Sequence, residues 1–293
     1  MAELVDNPFT VEQCRRFYAE EIRVVADLGS STLVEAFARV PRELFLGPPP
    51  WQFSSGGSLR CAAYRMTSQI RDLYHDVFVA LKGERLLNNG QPSMIARLLA
   101  ALDLGAGKRV LHIGCGTGYY TAIMAEAVGH QGAVTAVEVD PELAAMAEAN
   151  LSPYANVKVL NQDGTSLEPV SSDAILINAG VTDLPAAWLN GLSETGVLVA
   201  PLLVGRTPAS NDAMAVRFGR RGQRFTAELV TVLTIFPCTG LRNPAMQALL
   251  NKAFESHTLL RVNLLRREEH AQNSDCIVHV PGFCLSAEAA DAR

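Results

Sequence analysis

The chain has 293 residues, 48% of them hydrophobic, and its 25 Lys+Arg against 30 Asp+Glu give a formal net charge of −5. That apolar fraction excludes a disordered chain, and the acidic balance argues against a broad nucleic-acid-binding face. Residues 1–6 carry no basic, apolar leader, and the longest apolar run, 197–204, contains Pro201 and is far too short to span a bilayer, so a soluble cytoplasmic protein with no membrane partner is expected.

Residues 11–27 and 31–39 place apolar residues at three- and four-residue spacings and predict two helices, the second followed by Pro41. Residues 47–62, with Gly47-Pro48-Pro49-Pro50 and Ser54-Ser55-Gly56-Gly57-Ser58, predict a loop, and 66–81 a further helix. Pro92 suits the first turn of a helix carrying Met94, Ile95, Leu98, Leu99 and Leu102. Short apolar runs at 109–113, 133–138, 157–161, 174–178 and 196–200 then alternate with helical stretches at 119–128, 141–150 and 184–192. This rhythm predicts an α/β fold with a parallel sheet and helices on both faces. Residues 213–218 and 225–235, separated by Gly219 to Gln223, predict a terminal antiparallel hairpin. The tail offers a helix at 244–257 and a strand at 276–280. The expected division is an N-terminal helical extension with a linker or lid over 1–85, a ligand-binding core over 86–240, and a C-terminal extension over 241–293 packed on the core.

Cys14, Cys61, Cys115, Cys238, Cys276 and Cys284 form no CxxC pair, so reduced thiols packed as small apolar groups are expected rather than a disulfide framework. The histidines are sparse and unpatterned, and no metal site is expected.

The chemistry centres on His112-Ile113-Gly114-Cys115-Gly116-Thr117-Gly118, which follows an apolar strand and opens a helix. Glycines suit a sharp turn whose backbone touches a ligand, and the following helix presents free N–H groups. His112, Gly114, Cys115, Gly116, Thr117, Gly118 and Tyr119 are therefore candidates to hold a nucleoside with a carboxylate-bearing tail. The spacing is GxGxG, with Tyr119 where a dinucleotide pattern has its third glycine. Glu138 ends the second strand, about 20 residues past the loop, where an acid can accept both ribose hydroxyls. Asp140 is its rival, although it precedes Pro141 and reads equally as a helix cap. Asp163-Gly164-Thr165 follows the third strand, placing a carboxylate for an adenine amino group, or forming a simple Asp-Gly turn. Asn178-Ala179-Gly180 ends the fourth, so all these groups fall on one rim at the carboxyl ends of the strands.

From about Leu86 to Pro237 the chain resembles the class I S-adenosylmethionine methyltransferases, and within them the protein-L-isoaspartate O-methyltransferases. The pieces that carry the likeness are Val40-Pro41-Arg42-Glu43-Leu44-Phe45, Gly90-Gln91-Pro92, the glycine loop, Asp163-Gly164-Thr165, Asn178-Ala179-Gly180 before Leu184-Pro185, and Leu198-Val199-Ala200-Pro201. The resemblance implies a Rossmann-like, seven-stranded, mostly parallel sheet and S-adenosyl-L-methionine as cofactor. It implies that Gly114, Gly116, Glu138, Asp163 and Gly164 hold that cofactor, and that residues 88–91 cover it and line the substrate site. The chain departs from the family at Asn88-Asn89-Gly90-Gln91-Pro92, where the usual pattern is Thr-Ile-Ser-Gln-Pro and Gly90 lacks the hydroxyl.

Methyl transfer from a sulfonium is an in-line displacement with a neutral leaving group, so alignment is the main task of the protein. A carboxylate acceptor needs no general base, whereas an amine or phenol does. The sequence offers no dyad for deprotonation; His75-Asp76 reads as a surface pair. Asn88, Asn89, Gln91, the N–H groups near Gly90, and Thr239 are the candidates to position a substrate. The expected partner is a protein, peptide or small-molecule methyl acceptor, with the chain a monomer or homodimer. The alternatives are a small-molecule or peptide-modifying methyltransferase of the same fold, or a cofactor-binding adaptor without turnover. A nicotinamide dehydrogenase is disfavoured by Tyr119 and the terminal hairpin.

Overall fold

The computed structural model describes residues 8–55, 64–82, 87–205, 210–222 and 224–288; residues 1–6, 56–58, Cys61, Leu86 and Gln223, used in the sequence reading, lie outside the described residues. Helices α1 (Val11–Val25) and α2 (Ser31–Arg39) begin at Thr10 and Ser30, whose hydroxyls accept from the amides of Gln13 and Leu33. Their apolar faces, including Tyr18, Ile22, Leu33 and Phe37, are fully buried.

The expectations for 47–62 and 66–81 are corrected. Strands β1 (Trp51–Ser54), β2 (Arg65–Thr67), β3 (Phe78–Lys82) and β4 (Leu87–Asn88) form a small sheet in the order β2-β1-β3-β4. Trp51 and Phe53 on β1 and Val79 on β3 pack with Val77, Leu46 and Leu73 in one buried cluster. In place of the expected helix, 66–81 holds the end of β2, a short 3-10 turn at Ile70–Leu73 and most of β3.

Helix α3 (Pro92–Ala100) leads into the large sheet. Its strands are β5 (Arg109–Ile113), β6 (Ala133–Glu138), β7 (Val157–Asn161), β8 (Ser172–Ile177), β9 (Leu192–Leu203), β10 (Asp212–Arg221), β11 (Arg224–Thr234), β12 (Leu264–Arg266), β13 (Cys276–Val280) and β14 (Phe283–Ser286). Their order is β13-β14-β12-β11-β10-β9-β8-β5-β6-β7. Pairing is parallel from β7 through β9 and antiparallel from β9 onward. The five parallel strands and the β10–β11 hairpin are the seven expected; among the described residues the sheet runs on to ten, because the tail adds β12, β14 and β13 along the free edge of β11. Its parallel character is therefore confined to one half.

Strict alternation along the central strands divides the core in two. Val110, Ala174, Leu176, Val197, Val199, Ala213 and Ala215 face α1, α2, α3 and α4 (Tyr119–Val128). Leu111, Ile175, Ile177, Leu198, Ala200 and Met214 face α6 (Ala186–Gly191) and α7 (Pro244–Glu255). Helix α4 is buried almost all round, sandwiched between α2 and the sheet, and α5 (Pro141–Leu151) covers β6 and β7. Among the described residues no helix is long and apolar enough to cross a membrane.

Candidate active site

The glycine loop is pinned by backbone: the amides of Gly114 and Cys115 both donate to the carbonyl of Val137, and that of Asn178 to Ile113. The Asn178 side chain donates to the carbonyl of Gly114 at 3.3 Å. Three strand ends are thereby tied around a cavity of about 330 Å³, within the usual range of ligand pockets. Its lining unites Gly114, Cys115, Gly116, Thr117, Tyr119, Glu138, Asp163, Gly164 and Asn178 with Asn88 and Asn89.

Glu138 is the most constrained of the acids. Its Oε2 accepts from the Gly116 amide at 2.8 Å and its Oε1 from the Asp140 amide at 3.1 Å. Burial pushes its carboxyl above the ordinary range, against the lowering effect of those amides. Asp140 caps α5, accepting from the amides of Glu142 and Leu143, which leaves Glu138 the acid aimed by the loop itself. Asp163 accepts from the Thr165 amide through Oδ1, forming the expected turn, and also lines the cavity. The Trp188 indole donates to the Gly164 carbonyl at 2.8 Å and holds that turn in place.

Three expected site residues fall elsewhere. His112 points away from the cavity, to the same face as Val110, because side chains alternate along β5. It is fully buried and its Nδ1 lies 2.8 Å from the Thr121 hydroxyl on α4. Gly118 is the left-handed cap of α4, and a Cβ there would lie 2.7 Å from Leu151, so its role is to admit a close helix contact. Gln91 is absent from the lining and donates to Asp76 at 2.8 Å.

His112 has a measurable consequence. Burial lowers its pKa from 6.5 to about 3, so it stays neutral when folded. Below pH about 6.5 the unfolded chain takes up a proton that the folded chain refuses, and stability falls as pH falls across that window, by up to about 1.4 kcal/mol per pH unit. Urea unfolding between pH 7 and pH 4 should show a steeper acid loss for the wild type than for His112→Val; equal slopes would mean that His112 titrates normally.

Sequence reasoning gave no role to Arg42, which is fully buried. Its Nη1 donates to the carbonyls of Leu73 at 2.7 Å and His75 at 3.2 Å, and its Nη2 to Val77 at 2.5 Å and to Asn89 Oδ1 at 3.2 Å. Asn89 Oδ1 also accepts from the Val79 amide at 2.9 Å. Two donors on Oδ1 fix the carboxamide, and its Nδ2 is buried in the cavity wall without a hydrogen-bond partner. Asp76 likewise does structural work, accepting from the amide and hydroxyl of Ser93 at the start of α3; His75 is exposed and lies 4.0 Å from Glu21. The Gly90 amide is committed to Asn88 Oδ1 at 2.9 Å, which removes it from the expected donors. Thr239 does line the cavity, because the amides of Gly180 and Cys238 exchange bonds with the carbonyls of Phe236 and Gly180.

No described lining residue is a histidine, lysine or arginine. Burial raises the Tyr119 and Tyr120 phenols and the Cys115 thiol far above neutrality and pushes Cys238 up to about 11. The described wall therefore holds no neutral-pH base other than carboxylates. The space beside Gly116, where a built Cβ meets no atom within 4 Å, together with the paired oxygens of Glu138 fits a nucleoside cofactor.

Residues 62–239 match the family model described as Protein-L-isoaspartate(D-aspartate) O-methyltransferase (PCMT). Protein-L-isoaspartate O-methyltransferase 1 of Archaeoglobus fulgidus is 35% identical over 195 residues, covering 65% of this chain and 80% of the relative. A solved protein-L-isoaspartate O-methyltransferase superposes with a TM-score of 0.62 at 24% identity, over 81% of this chain and 69% of its own. A beta-aspartate methyltransferase (PCMT) structure from Plasmodium falciparum, in complex with S-adenosyl-L-homocysteine, gives 0.58 at 16% identity, over 77% and 98%. The two structural likenesses bear on the fold. With more than half of the chain matched by the family model and most of an archaeal relative aligned to it, the chain belongs to the protein-L-isoaspartate O-methyltransferase family and is an S-adenosylmethionine-dependent methyltransferase.

Proposed function

We propose that the chain methylates the free carboxylate of an isoaspartyl residue, its α-carboxylate, in a peptide or protein. The observation that carries this reading is the wall itself: the neutral carboxamides of Asn88 and Asn89 stand on the acceptor side, and the described lining groups able to take a proton at neutral pH are the carboxylates that this reading assigns to the cofactor and the α5 cap. A carboxylate needs orientation only, whereas an ammonium or alcohol must first be deprotonated. When bound, S-adenosylmethionine supplies an electrophilic methyl group. The chain's part is to hold its ribose on Glu138, its adenine beside Asp163 and its tail over Gly114 to Gly116.

A second cavity of about 420 Å³ meets the first at Asn88, Asn178 and Phe236 and is lined further by Gly90, Gln91 and Met94. It is the acceptor channel in this reading, with Asn89 Nδ2 donating to the acceptor carboxylate at the junction. Gly90 fits the same picture. Its φ is +76°, and a Cβ there would come 3.0 Å from Ile95, so a serine hydroxyl has no unstrained place. Carboxamides replace the family's hydroxyl.

Incubation with methyl-labelled cofactor and matched isoaspartyl, aspartyl and lysyl peptides tests this. Label released as methanol by mild alkali, from the isoaspartyl peptide alone, is expected. Alkali-stable label on lysine would overturn the carboxylate assignment, and ester on the aspartyl peptide alone would overturn the isoaspartyl one.

A further inference from the structure

A second cluster of reactive side chains lies in the tail, outside the methyltransferase cavity. His270, Cys276, His279 and Cys284 each bring one donor atom to within 4.8 Å of the others. In the sequence they follow no recognisable ligand spacing, and the expectation of no metal site rested on that. The fold explains the irregularity. Residues 276 and 279 would point to opposite faces of a regular strand, but the β13–β14 register shifts between Cys276 and Val278. The irregularity turns both side chains to one side. His279 and Cys284 are direct cross-strand neighbours, joined by the turn at Gly282, and His270 comes in from the β12–β13 loop.

The details are those of a metal centre's surroundings. His270 Nδ1 lies 2.8 Å from the Glu268 carbonyl, which fixes the tautomer and leaves Nε2 facing Cys276 Sγ at 3.7 Å. Tetrahedral zinc, with bonds of about 2.3 Å to sulfur and about 2.0 Å to nitrogen, sets ligand atoms roughly 3.3–3.8 Å apart. One edge is already there, and with all four atoms within 4.8 Å the rest need at most about 1.5 Å of closure. The Asn273 amide donates to Cys276 Sγ at 3.5 Å, and the thiol in turn donates to Asn273 Oδ1 at 3.3 Å, a bond that a metal would replace. His279 Nδ1 is buried with no hydrogen-bond partner, and Cys284 is buried in the sheet. We propose that these four side chains bind a structural zinc-class ion, with two thiolates and two imidazoles closing its tetrahedron. Four protein ligands leave no open position, so the ion is a staple and not a catalyst. It clamps the β12–β13 loop onto β13, the last strand of the large sheet, where an uncovered edge is otherwise a liability.

The test uses the full chain, purified without chelator. Elemental analysis is expected to find one zinc per chain, and replacement by cobalt(II) to give the intense visible bands of tetrahedral thiolate coordination. Cys276→Ser and His279→Ala should each lose the cobalt signature while still binding S-adenosylhomocysteine. Wild-type protein free of metal, with no cobalt bands, would overturn the proposal without reference to any variant. So would an intact mass short by two hydrogens, showing a Cys276–Cys284 disulfide, or both variants keeping the wild-type cobalt spectrum.

Discussion

Gly116→Val should weaken S-adenosylhomocysteine binding by more than about 100-fold, equivalent to roughly 2.7 kcal/mol, while the chain remains folded. A Cβ at Gly116 meets no protein atom within 4 Å, so added methyl groups enter the cavity and not the core. The φ of +57° adds a backbone strain of about 1–2 kcal/mol for a side chain with a Cβ, which lowers stability without itself blocking the ligand. Gly116→Ala separates the two effects, since it keeps most of the strain and little of the bulk. Calorimetric titration beside thermal unfolding checks the outcome; a folded valine variant with wild-type affinity would remove the loop from the cofactor site. Glu138→Ala gives the graded comparison, about 10- to 100-fold weaker through loss of a charged acceptor. Because the Glu138 carboxyl is held above its usual range, wild-type affinity should also fall on acidification earlier than for an exposed glutamate.

Arg42→Ala is expected to destabilise the chain by about 2–6 kcal/mol, since each buried acceptor left unpaired costs roughly 1–3 kcal/mol. The backbone carbonyls of buried Leu73 and Val77 lose this donor in a place closed to water, while that of exposed His75 keeps the Val77 amide. Arg42→Lys recovers part of the loss, since an ammonium cannot span the same set of acceptors. The second effect is functional. Without Arg42 the Asn89 carboxamide loses one of its two fixing donors, so turnover at saturating cofactor should drop further than the folded fraction explains. Urea unfolding gives the first quantity and steady-state kinetics the second. A loss under about 1 kcal/mol would mean that water reaches those carbonyls.

The α/β half was legible because its central strands are buried on both faces and read as apolar runs that alternate with helical stretches. Arg109–Ile113, Ala133–Glu138 and Val157–Asn161 end where the sequence placed them. The rim followed from that, since ligand groups of such sheets collect at the strands' carboxyl ends. His112 was misassigned although its signal was present: two positions after Val110, it had to share that residue's face. The small sheet and Arg42 were illegible for another reason. Their partners are distant in the chain, as in the 47-residue step from Arg42 to Asn89, and local periodicity carries no trace of them. The tail cluster was hidden by a single irregularity in β13 that alters the expected alternation.

Arg42 also bears on what can be transplanted. The stretch that matches the family model begins at residue 62, yet the side chain that orients Asn89 stands before it. A chimera built by cutting at that border would carry the glycine bend intact and inherit a carboxamide held by the Val79 amide alone. Such a hybrid would charge with cofactor and lose its grip on whatever it was meant to modify. The turn after α2 that carries Arg42 is therefore part of the tool and not its handle.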